Sequence, residues 1–140
     1  MTDQFAELLH ELGRHLHLPL HVDKHSACSI QTPENLTVQL ELDISLENLF
    51  FFSKIIEIPP GKFRENVLRE TLKANALPDP RAGIFGYLDR TNHLILFQRY
   101  PLPILNGERL AGLIGGFLEL GNAWQKAIEA GRSAPPGLKS

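Results

Sequence analysis

Nine consecutive residues, Leu36 to Ile44, alternate without a break. Leu36, Val38, Leu40, Leu42 and Ile44 are apolar, and Thr37, Gln39, Glu41 and Asp43 between them are polar. On a helix these side chains would scatter around the circumference. On a strand they separate onto two faces, because the side-chain period is two. The segment therefore predicts a strand with one face in the core and one in water, which requires a sheet covered on one side. An all-helical fold is excluded.

The neighbouring segments supply the rest of the sheet and its cover. Phe5, Leu8, Leu9, Leu12 and Leu16 recur at spacings of three and four, the stripe of an amphipathic helix. Thr2 or Asp3 can cap its start, and Pro19 stops it. Cys28 to Thr32 predicts a short strand closed by Pro33, Glu34 and Asn35. Leu49 to Ile58 predicts a third strand, apolar on both faces: Phe50, Phe52, Ile56 and Ile58 on one, Leu49, Phe51 and Ile55 on the other. Such a strand is either central and covered twice, or partly open for a partner. Pro59-Pro60-Gly61 breaks the sheet, and a second helix follows from Lys62 to Ala76, ended by Pro78 and Pro80. Ile84 to Leu88 and Leu94 to Tyr100 read as a hairpin around Asp89-Arg90-Thr91-Asn92. The last helix runs from Asn106 to Ala130, with Leu110, Leu113, Ile114, Phe117, Gly121, Trp124 and Ile128 on its stripe. The order α-β-β-β-α-β-β-α predicts an α+β fold with a twisted, mainly antiparallel sheet. Residues 1–130 are expected to form one domain and residues 131–140 a flexible tail, in keeping with a chain of 140 residues.

Composition removes several functions. Fourteen Lys and Arg against sixteen Asp and Glu leave a formal charge of −2. That lacks the basic footprint of a nucleic-acid binder or a polybasic membrane patch. The longest strictly apolar run is four residues, too short to span a bilayer, and the N-terminus shows no secretory pattern. A soluble, cytoplasmic protein is expected. One cysteine makes no internal disulfide and no Cys/Cys zinc spacing.

Catalytic and cofactor chemistry also finds little support. Five histidines, His10, His15, His17, His21 and His25, lie close together, but Pro19 prevents one helix from aligning them. Cys28 near His21 or His25 lacks an orienting third group. Gly112, Gly115 and Gly116 sit inside a helix with no Lys-Ser/Thr after them, so they form no phosphate loop. Their expected role is steric, letting that helix approach a neighbour closely. No catalytic residue, metal site or cofactor is expected. What remains is a surplus of large apolar side chains on the first helix and third strand. Either the core is generous, or the surface carries a groove for an extended partner chain and a self-association interface.

Several stretches together resemble the class I type III secretion chaperones, the Tir-chaperone family. They are Val67-Leu68-Arg69-Glu70-Thr71-Leu72-Lys73-Ala74-Asn75-Ala76, with Leu72 and Asn75 in a "leucine, two residues, asparagine" helix end; Ala82-Gly83-Ile84-Phe85-Gly86-Tyr87-Leu88; and Leu94-Ile95-Leu96-Phe97, followed by a Pro-containing loop, Leu110, Phe117, Leu118 and Trp124. The resemblance spans Phe5 to Ile128. It implies a bacterial cytoplasmic homodimer without enzymatic activity that binds the extended N-terminal segment of a secreted effector and keeps it soluble and secretion-competent. Contact with the secretion-system ATPase is among the partners it allows. Phe5, Leu8, Leu9 and Leu12, with Cys28, Ile30, Leu49 and Phe51, would supply the effector-binding patches. Phe63, Val67, Ile84, Phe85 and Tyr87 would form the two-fold interface. Ordinary core is the rival role for each of these residues. Many family members are markedly acidic, whereas the sequence pI here is about 6.3. Strong negative charge is therefore not expected to guide docking. The alternative is a regulatory adaptor of the same fold that binds a folded protein.

Overall fold

The structure is a computed structural model and describes residues 2–17, 20, 27–32, 36–43, 47–78 and 81–136, with the side chains of residues 2–4 excepted. Helix α1 (Thr2–Leu16) forms as its apolar stripe predicts, with Phe5, Leu8, Leu9 and Leu12 all buried. His17 leaves the helix in the left-handed region at φ 58°, a conformation that ends helices. The expected stop at Pro19 and the expected turn at 33–35 lie outside the described residues.

Among the described residues, five strands form one antiparallel sheet: β1 (Ala27–Gln31), β2 (Thr37–Leu42), β3 (Asn48–Glu57), β4 (Ile84–Leu88) and β5 (His93–Pro101), in the order β1-β2-β3-β5-β4. In β2, Val38, Leu40 and Leu42 are buried while Thr37 and Glu41 are exposed, as alternation requires. The strand closes at Leu42; Ile44 lies outside the described residues. Asp43 ties the end of β2 to the start of β3: its carboxylate accepts from the Glu47 and Asn48 N–H groups and from Asn48 Nδ2 at 2.8 Å.

Strand β3 departs from the sequence expectation. Its register against β5 shifts between Lys54 and Ile56. Before the bulge, Phe52 opposes Phe97 and Ser53 opposes Leu96; after it, Ile56 opposes Leu94. Directly opposed residues share a face, so Ile56 stands on the helix-covered side with buried Leu94 and Leu96. Ile58, two residues on, is buried too. The four-residue apolar face expected of Phe50, Phe52, Ile56 and Ile58 is thus split: only Phe50 and Phe52 remain on the outer side.

Helix α2 (Lys62–Asn75) carries the chain from β3 across to β4, as two parallel strands with one between them require. It buries Val67 and Thr71. A short 3₁₀ turn (Leu102–Ile104) then leads to α3 (Gly107–Glu129). Asn106 caps α3 by accepting from the Arg109 N–H at 2.8 Å. Glu11 of α1 accepts from the Gly107 N–H at 2.9 Å, so one helix satisfies an orphan donor of the other.

The core lies between the sheet and the α1–α3 pair. Phe51 meets Phe117 edge-on at 5.5 Å and Tyr100 at 5.4 Å, and Phe85 meets Trp124 at 4.6 Å. Gly121 lets α3 approach the sheet: a Cβ there would stand 2.9 Å from Leu36 Cδ2. Part of the expected tail is engaged. Arg132 N–H donates to Ala127 O at 2.8 Å and Ala134 packs against the core, while 137–140 lie outside the described residues.

Candidate partner-binding surfaces

The eight side chains expected to form effector patches are all core. Phe5, Leu8, Leu9, Leu12, Cys28, Ile30, Leu49 and Phe51 belong to one buried cluster. The reason is the layer count. Helix α1 has one apolar stripe, and that stripe is buried in the shared core with α3 as its main neighbour. None of the eight offers an open side chain in this chain.

The five residues expected at a two-fold interface divide. Val67 and Phe85 are buried within the chain, Ile84 and Tyr87 are half-buried, and Phe63 is exposed. The Tyr87 hydroxyl donates to Ile58 O at 2.9 Å and accepts from Arg64 Nη1 at 3.0 Å, with the guanidinium 5.2 Å from its ring. That network ties α2 to β4. Leu72 on the same helix is 69% exposed, the most open large apolar side chain among the described residues.

Two sheet features face outward. The face opposite α1 and α3 carries Phe50, Phe52 and Phe97, all half-buried, with Phe50 and Phe97 stacked at 6.2 Å. The β1 edge is the second. Thr32 N–H donates to Leu36 O at 2.8 Å, and this fixes the pairing parity of the β1–β2 hairpin. Ser29 and Gln31 therefore direct their backbone N–H and C=O away from β2. No hydrogen bond among the described residues takes those groups.

A cleft of about 480 Å³ opens where α3 passes the start of β4, lined by Arg81, Ala82, Gln98, Tyr100, Gly112, Leu113 and Gly116. Burial raises the Tyr100 hydroxyl above its ordinary pKa of 10.0. The sequence signal for this cleft is the glycine trio, but the expected reason for it does not hold at two positions. A Cβ on Gly112 or Gly115 would meet nothing within 4 Å, and one on Gly116 only Ala82 at 3.9 Å. The close approaches of α3 are at Gly107 and Gly121 instead.

His10, His15 and His17 are exposed, and Cys28 is buried; His21 and His25 lie outside the described residues. Among the described residues no group of three His, Cys, Asp or Glu could hold a metal ion. No helix among them is long and apolar enough to cross a membrane.

The fold is shared with proteins of known structure. A chain of the HopA1–SchA chaperone–effector complex is 22% identical with a TM-score of 0.66, over 90% of this chain and 96% of that one. A chain of the Yersinia pestis type III secretion chaperone SycH in complex with a YscM2 fragment is 17% identical with a TM-score of 0.68, over 84% and 96%. A chain of the ExsC–ExsE complex is 20% identical with a TM-score of 0.70, over 99% and 98%. No curated protein matches the chain in sequence. A family model does, over residues 7–125: by that match the chain belongs to the Tir chaperone protein (CesT) family.

Proposed function

We propose that this protein is a type III secretion chaperone that binds the extended N-terminal segment of a secreted effector in the bacterial cytoplasm. It keeps that segment soluble and secretion-competent and contributes no catalysis of its own. The observation that carries this reading is the family match over residues 7–125. The geometry adds a mechanism. An extended segment gains main-chain hydrogen bonds by lying along an open strand edge, and β1 presents one at Ser29 and Gln31. Cys28 and Ile30, with Phe5, Leu8, Leu9 and Leu12 of α1 and Leu49 and Phe51 of β3, form the rigid floor behind that edge. Ordering a disordered segment costs conformational entropy, so its apolar side chains must also find cover. The chain works as a homodimer through α2 and β4, with Phe63, Leu72, Ile84 and Tyr87 toward the partner and Val67 and Phe85 holding them from beneath.

Co-expression tests this directly. The full chain is produced with the N-terminal segments encoded beside its gene and purified through a tag on the chaperone. A segment that is insoluble alone is expected to co-purify in soluble form. Retention of a folded neighbour instead, with every unfolded segment lost, replaces this reading with the regulatory adaptor.

A further inference from the structure

The sheet of the five described strands has two edges, and in this chain they are treated differently. Phe85 of β4 opposes Leu96 of β5, yet its N–H donates to Asn75 Oδ1 at 2.9 Å and its C=O accepts from Asn75 Nδ2 at 2.9 Å. Phe85 and Leu96 are therefore a non-hydrogen-bonded pair, and β4 directs the backbone groups of Phe85 and Tyr87 outward. One side-chain amide occupies both outward groups of Phe85, as a neighbouring strand would.

Asn75 is held for that task. It is the last residue of α2, and Arg81 Nη1 donates to its carbonyl oxygen. Asparagine is a poor helix former, so helix propensity does not account for it. Its amide supplies one donor and one acceptor side by side; an aspartate would supply acceptors only. With Phe85 occupied, a strand arriving at β4 finds only Tyr87 to pair with.

We propose that Asn75 acts as a surrogate strand that closes the β4 edge to the β4 strand of a second copy, leaving β1 as the edge at which this sheet can be extended. Two-fold association then proceeds through side chains of α2 and β4 rather than by a continuous sheet. Unguarded edges pair with one another, and proteins block them by charge, covering or bulges. The proposal goes beyond the effector reading, and its test uses the chaperone alone, so the two stand or fall separately.

The test is light scattering over a concentration series, with amide exchange by NMR on the same samples. Asn75→Ala is expected to form species heavier than wild type, increasingly so with concentration. Asn75→Lys, which removes the clamp but places a charge on the edge, is expected to keep the wild-type mass. In Asn75→Lys, and in Asn75→Ala diluted until it has the wild-type mass, the Phe85 amide should exchange about tenfold faster, while Gly86, whose N–H faces β5, is unchanged. An Asn75→Ala chain that keeps the wild-type mass at every concentration overturns the proposal, as does growth of both variants alike or an unchanged Phe85 amide in Asn75→Lys. If the alanine variant does not fold, Asn75→Ser, too short to span both groups, is read by the same criteria.

Discussion

At the scale of single residues, the glycines of α3 show how one residue type serves opposite ends. Gly107 and Gly121 are required by contact: a Cβ on Gly107 would lie 2.5 Å from Glu11 Cβ and 3.0 Å from its backbone carbon. Gly112 and Gly115 face open space, and a mid-helix glycine costs up to about 1 kcal/mol relative to alanine. Gly115→Ala should therefore raise stability by up to about 1 kcal/mol, and Gly107→Ala should lower it by about 1–3 kcal/mol. Urea melts of the two variants check both signs, and a loss in Gly115→Ala would show that something covers that face. The distinction is invisible in the sequence. Both glycines sit in the same helical pattern, and only the position of Glu11, 96 residues away along the chain from Gly107, separates them. Asn75 is legible as part of a pattern, but its contact is not, because the partner of its side-chain amide, the backbone of Phe85, lies on β4 and is set by tertiary approach.

At the scale of elements, α1 and α2 invite the same substitution with opposite results. Leu12 is fully buried on the stripe of α1, whereas Leu72 of α2 is mostly in water. An aspartate at position 12 would bury an unpaired charge at a cost of several kcal/mol, a large part of a typical stability of about 5–15 kcal/mol. Leu12→Asp is expected to unfold the chain; Leu72→Asp should keep its circular dichroism and melting temperature and reduce self-association. Size exclusion with light scattering beside a thermal melt reads both, and a folded Leu12→Asp chain would return α1 to the role of a surface patch. Periodicity located these elements because each buries one face, which is a local demand. It could not say whether a buried face meets the same chain or another. Nor could it find the bulge at Lys54–Ile56, which arises from pairing with β5 and moves Ile56 across the sheet. Alternation at Leu36 to Leu42 survived because β2 has no such break.

At the scale of the whole molecule, the fold is a sheet with helices on one side, a half-open aromatic face on the other, and one edge closed by a side chain. The parts converge at Tyr100. It stands on β5, packs against Phe51 of β3, and lines the cleft with Leu113 and Gly116 of α3 and with Arg81 and Ala82 before β4. Its ionisation therefore tests the assembly of all these elements together. Burial raises its pKa above 10.0 in the folded chain, while the unfolded chain titrates near about 10. The sign follows from linkage. Below the unfolded value both states hold the phenolic proton and the folded state keeps its full stability. As pH rises above it, the unfolded chain releases the proton first, and stability falls until the folded group has titrated too. Urea melts from about pH 8 to about pH 11 should show wild type losing stability in the upper part of that range. Tyr100→Phe should lose less over the same interval, since it has no proton to release there. Equal slopes for the two chains would mean that the hydroxyl reaches water freely, and that β5, α3 and the segment before β4 do not close around it as described.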